Sequence, residues 1–189
     1  LALSALAIAI VFGIGLGVFA SLQMTFSFAA RLILDLALST PMYWTGTLAI
    51  ILFSLQLGWL SSTGLALPAL VLGFHTAGAV GQVVNASVAE TLALDFVRTA
   101  RAKGLRESRI LVRHVLRAAL LPAISVIALQ AGFLLGGVVI TESLFVRAGI
   151  GRVLLNATLR QDYPVVQGIV LLSAFVYVVL NAAADVLSR

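Results

Sequence analysis

Cysteine is absent from the 189 residues, lysine occurs once and charge of either sign is scarce. Without cysteine there is no disulfide framework, no thiol nucleophile and no thiolate metal site. Charged residues make up 10% of the chain, against roughly 25% in soluble domains, which excludes an ordinary water-soluble fold. A phosphate-cradling loop needs a Gly-rich turn running into Lys and then Ser or Thr. The one lysine, Lys103, is followed by Gly104-Leu105, so ATP hydrolysis by this chain is excluded. The two histidines, His75 and His114, stand far apart in sequence and give an intramembrane enzyme or metal centre almost no footing. The start LALSALAIAI has no Met and no basic flank, a poor match to a signal peptide. It reads as a cut inside a longer protein.

What the chain has instead is apolar sequence, 61% hydrophobic with a mean hydropathy of +1.14. Its apolar runs reach the length that a bilayer demands, about 20 residues per helix. Five spans are expected: Leu1 to about Ala20, Met42 to Leu60, Leu65 to Val88, Ala118 to Ile140 and Val165 to Leu187. Arg31 and Asp35 fall in the connection between the first two, which includes the polar run 21-SLQMTFSF-28. Trp44 and Trp59 suit the two interfaces of the second span. The pairs Gly13-x-x-x-Gly17 and Gly132-x-x-x-Gly136 permit close helix approach in lipid. Fold class is therefore all-α, a polytopic transmembrane bundle forming one domain over residues 1–189.

Charge is concentrated. Arg98, Arg101, Lys103, Arg106, Arg109, Arg113 and Arg117 fall within residues 98–117, with Glu107 the only acid among them. Nucleic acid could use such a block, but in a membrane chain the positive-inside bias accounts for it. Placing loop 90–117 in the cytoplasm leaves only Arg147, Arg152 and Arg160 outside and puts the N-terminus outside. That start implies at least one further helix upstream. Within the loop, Glu90 to Gly104 is helix-friendly, with an apolar face on Ala93, Phe96 and Ala100. Gly104 breaks the helix or admits another backbone. Arg106, Arg109, Arg113 and Arg117 then recur every three or four residues as a basic stripe that can anchor at anionic headgroups. Pro122 marks entry to the fourth span.

A short helix, a Gly joint and a basic lead-in resemble the cytoplasmic signature of permease subunits of ATP-binding-cassette importers. The string 96-FVRTARAKGL-105, with Arg113-His114 and 119-ALLP-122, is similar to the dipeptide, oligopeptide and nickel branch. So are Leu134-Leu135-Gly136-Gly137, Thr141-Glu142, 149-GIGR-152 and 162-DYPVVQG-168. Arg98 stands where that family's motif often has Glu, and Ala148 where Pro often precedes the Gly-x-Gly run. The resemblance implies the type I importer permease fold with the first helix absent from this sequence. It implies that Asp95, Phe96, Arg98, Thr99, Ala100, Arg101, Lys103, Gly104 and Leu105 form a coupling helix that docks on a cytoplasmic ATPase subunit. Arg109, Arg113 and Arg117 would anchor to membrane lipids. It further implies ATP and Mg on partner ATPase subunits with no cofactor on this chain, and a second permease subunit, as a heterodimer. An external solute-binding protein would deliver dipeptides, oligopeptides, glutathione or nickel chelates, and the location is a bacterial or archaeal cytoplasmic membrane.

Two ionisable residues lie outside the block. His75 falls inside the third span, where such a group is a functional suspect, although neutral imidazole also bonds helices together. Glu142 follows the fourth span with Arg147 and Arg152 near it, an expected ion pair of the outer loop or else a cargo-facing gate. Residues 145–164 read as a small external helix or re-entrant cap. The competing class is a self-sufficient secondary carrier or channel, which calls for broken helices, repeats or mid-membrane charge; none is evident in the sequence.

Overall fold

The computed structural model describes residues 1–22 and 27–187, and among these every regular element is helical. Residues 23–26 of the polar run lie outside that description. Helix α1 (Ala2–Ser21) leads to α2 (Ser27–Ser39). Helix α3 (Met42–Ala49) continues as a π-helical stretch, Ile50–Gln56. Then come α4 (Ala66–Leu92), α5 (Asp95–Ala102), α6 (Glu107–Ile110), a π-helical turn at Leu111–Val115, α7 (Leu116–Ala119) and α8 (Leu121–Gly137). Helices α9 (Val139–Leu144), α10 (Ile150–Leu159) and α11 (Tyr163–Leu187) complete the chain.

Helix α4 is the axis of the bundle. Its 27 residues span about 40 Å at 1.5 Å per residue, beyond the roughly 30 Å of a hydrocarbon core. Helix α1 runs parallel to it, since Gly13 meets Ala77 and Val80 while Gly17 meets Gly81 and Val84. A Cβ on Gly17 would stand 2.5 Å from the Gly81 carbonyl oxygen and 2.8 Å from the Val84 Cβ. That closeness replaces lipid contact with backbone dispersion. Helix α2 returns antiparallel, with Leu34 against Gly81 and Ala37 against Gly78. Helix α11 packs on α8 through Tyr177 at Gly132 and otherwise leaves its apolar surface unburied.

The spans depart from the sequence expectation in two places. Arg31 and Asp35 were expected in a connection, but both lie in α2, which packs into the bundle. Among the described residues, three single helices are long and apolar enough to cross a membrane, and there are up to five crossings if two bent pairs each count as one. One pair is Ser27–Ser39 with Met42–Gln56, bent by 109°; the other is Glu107–Ala119 with Leu121–Leu134, bent by 52°. The second span therefore does not begin afresh at Met42. Proline explains the punctuation: Pro41 is the N-cap of α3, and Pro68, Pro122 and Pro164 sit in the first turns of α4, α8 and α11. A proline N–H would be an orphan there in any case.

Candidate functional site

Helix α5 is short because both its ends are chemically fixed. Asp95 occupies the first turn and Arg101 the last, charges that complement the helix dipole. Asp95 and Arg98 form an ion pair at 3.3 Å, fully solvated and of little energetic weight. At the far end the Gly104 N–H donates to the Arg101 carbonyl at 2.9 Å and the Leu105 N–H to the Ala100 carbonyl at 3.3 Å. This crossed pair of bonds is a Schellman cap, which requires a left-handed residue after the helix. Gly104 supplies it, at φ +75°. A Cβ there would meet nothing within 4 Å, so backbone conformation and not close approach dictates the glycine.

Helix α5 seats Val97 and Ala100 on the base of the bundle. Both are buried, in one cluster with Val84 and Val88 of α4, Ile110, Val115, Ala119 and Ala123. The expected apolar face on Ala93, Phe96 and Ala100 is corrected accordingly. Phe96 is 42% exposed, Ala93 is exposed, and Ala100 points into the bundle and away from any docking partner. The outward face carries Asp95, Phe96, Arg98, Thr99, Arg101 and Lys103.

Across the Gly104 turn, Arg101 grips Glu107 with two parallel bonds, Nε to Oε1 at 2.7 Å and a terminal guanidinium nitrogen to Oε2 at 3.2 Å. This fork is the most directional way to join a guanidinium to a carboxylate. It holds the Glu107 carboxyl below the ordinary glutamate range and raises Arg101. Beyond it, Ile110 and Val115 are both buried although five residues apart. The π-helical turn at Leu111–Val115 widens the spiral enough to bring them onto one face. Arg106, Arg109, Arg113 and Arg117 all remain exposed.

In α9, Glu142 is buried and its Oε2 accepts the Arg152 backbone N–H at 3.0 Å. It therefore caps the N-terminus of α10. The expected ion pair with Arg147 or Arg152 is absent among the described residues; Arg147 donates to the Thr63 carbonyl at 3.0 Å. Gly149 and Gly151 press against the Glu142 carboxyl group, leaving no room for a side chain at either.

His75 closes the sharp bend between α2 and α3. Pro41 has no N–H to give the Ala37 carbonyl four residues back. His75 Nδ1 donates to that carbonyl at 2.7 Å, and its Nε2 lies 2.7 Å from the Thr45 hydroxyl. Both ring nitrogens are thus occupied. Asp35, which the sequence reading left in a connection, bonds to Gln82 of α4.

The sequence matches, over residues 9–189, the family described as "Binding-protein-dependent transport system inner membrane component". The chain belongs to this family. It is 37% identical over 196 residues to the "Glutathione transport system permease protein GsiC" of Pectobacterium atrosepticum, covering 99% of this chain and 64% of that protein. The protein of the same name from Escherichia coli is 36% identical over 188 residues, covering 95% and 61%. The chain thus spans about three fifths of the length of the curated relatives it matches. Its helices and its family make it a multi-pass membrane protein of the permease fold.

Proposed function

We propose that this chain is the membrane-spanning part of an ATP-driven importer, with α5 as the helix that a cytoplasmic ATPase subunit grips. The single observation that carries this reading is the construction of α5. It is short, capped at its C-terminus by Gly104, forked to α6 by Arg101 and Glu107, and backed by the core through Val97. A lever must be rigid and must present a free face, and α5 does both. ATP and Mg belong to the partner subunits, a sister permease completes the conduit, and an external binding protein delivers the solute. Small peptides are the solute class we favour, glutathione among them, on the strength of the relatives' names. The basic face of Arg109, Arg113 and Arg117 anchors the lead-in at anionic lipid headgroups.

Two features favour a second reading. The two bent helix pairs and the membrane-depth Asp35 are marks of secondary carriers, and both correct the expectation that neither was present. The bend at Pro41, however, is sealed by His75 and offers no free helix end to a substrate. A cysteine at Thr99 of the full-length permease, coexpressed with the neighbouring transport subunits, tests the importer. Crosslinking is expected to capture a nucleotide-hydrolysing subunit. No capture, together with transport by the permease alone in liposomes, would establish the carrier instead.

A further inference from the structure

Asp35 is exposed on α2, within a bent helix pair apolar enough to count as a membrane span, and it accepts a hydrogen bond from Gln82 of α4. Its partner Gln82 precedes the end of α4 by about 15 Å at 1.5 Å per residue. With α4 overhanging a 30 Å hydrocarbon core equally at both ends, the pair sits about 10 Å inside it. A carboxylate at that depth does not face lipid; it faces protein or a water-filled cavity. No cation of the described residues pairs with it. Arg31, one turn away on the same helix, gives its Nε to the Ala20 carbonyl at 2.9 Å.

The surroundings indicate which alternative holds. One turn above Asp35 and Gln82 stand Leu38 and Ala79, which line a cavity of about 220 Å³ between α2, α4 and α8. Gln130 of α8 and His75 line the same cavity. His75 is committed to Ala37 and Thr45, whereas Gln130 has no hydrogen-bond partner among the described residues. Gln130, Gln82 and Asp35 therefore follow one another as a polar strip beside α4, with Thr76 and His75 at the cavity. The strip's polar groups are two neutral amides and one negative charge, while Arg31, one turn away, turns its Nε to the Ala20 carbonyl.

We propose that this strip is a wall of the solute conduit and that Asp35 takes the ammonium group of a solute moving along it. The ligand class is a small molecule bearing a primary ammonium, such as the amino terminus of a short peptide. Carboxylate to ammonium is a charge-assisted hydrogen bond, and the Gln82 amide holds the carboxylate in place to receive it. The proposal rests on the permease reading above and adds to it a site and the sign of charge it selects.

These 189 residues contain no thiol, so a cysteine placed among them is read against the same assembled transporter without it. Ala79→Cys in the full-length permease, within membranes carrying the assembled transporter, is treated with cationic and anionic methanethiosulfonates of similar size. Rates are normalised to free cysteine. The cationic reagent is expected to react about tenfold faster, as a focused local charge concentrates counter-ions. Asp35→Asn should abolish that preference and Asp35→Glu should keep it. Leu36→Cys, one residue along α2, should stay unlabelled in lipid. Equal normalised rates with Asp35 present would overturn the proposal. So would protection of Ala79→Cys from both reagents, which would place the strip against the sister subunit. The labelling is read without nucleotide, so failure to capture an ATPase at α5 sinks the importer reading separately.

Discussion

Removing the His75 imidazole should destabilise the bundle at the bend between α2 and α3. Two bonds of 2.7 Å hold that bend, and one of them satisfies the Ala37 carbonyl, which Pro41 leaves without its helical donor. Leaving such a carbonyl unsatisfied costs about 1–3 kcal/mol in a buried site. Hydrogen bonds between helices in lipid average nearer to about 0.6 kcal/mol. His75→Ala is therefore expected to lose about 1–2 kcal/mol, read as a lowered unfolding midpoint of the purified permease in detergent. His75→Gln retains an N–H that reaches Ala37 and should lose less than half as much, with transport largely intact. The decisive arm is Pro41→Ala, which returns an N–H to the position four residues after Ala37. In that background the cost of His75→Ala should shrink by about 0.5–2 kcal/mol, the range of coupling between residues sharing a partner. Equal costs in both backgrounds would refute the account. A His75→Gln protein that unfolds like the wild type but does not transport would put the imidazole on the solute path.

Gly17→Leu should cost about 1–3 kcal/mol or more through overpacking against Gly81 and Val84, whereas Gly15→Ala, with nothing within 4 Å, should be silent in the same thermal assay. Glu142→Ala should lose about 1–2 kcal/mol as the cap of α10 is removed, with Glu142→Gln retaining most of it, measured by proteolysis of the outer loop. The Arg101–Glu107 fork lowers the Glu107 pKa, so its contribution is complete above the ordinary glutamate range and is lost as pH falls through the lowered value. Spin labels on Thr99 and Ser108 should report an unchanged separation from neutral pH down to that range and a broadened one below it. Loosening at a higher pH would contradict the fork.

Much of this architecture was legible because lipid imposes one rule, that backbone groups bond within helices. The long apolar runs and the turn at Gly104 both follow from local sequence. The second span was not legible for an equally physical reason. Asp35 and Arg31 look like a polar connection in one dimension, yet α2 carries them because Leu34 and Ala37 have glycine partners on α4. The meaning of Pro41 needed His75, more than thirty residues away. The Glu142 cap was hidden likewise. Nearby arginines suggested side-chain pairing, while the partner is the Arg152 backbone, to which side-chain chemistry gives no clue. On α5, the inward turn of Ala100 and the outward turn of Phe96 depend on where the helix seats. Periodicity alone allowed either face.

The position of α5 in the core explains how a cytoplasmic push would reach the conduit. Val97 and Ala100 do not touch a private patch. They share one packed cluster with Val80, Val84 and Val88 of α4 and with Ala119 and Ala123 at the α7–α8 junction. Those are the two elements that carry Gln82 and Gln130. Close-packed interiors do not absorb displacement as a liquid would, so moving α5 against the bundle must shift α4, α8 or both. The 52° bend before α8 lets the lead-in α6–α7 swing with α5 while α8 rotates about the Leu121-Pro122 joint. Filling the cluster, by Ala123→Phe, should therefore impair transport more than ATP hydrolysis in the assembled importer. Parallel loss of both would mean that α5 transmits nothing through this core.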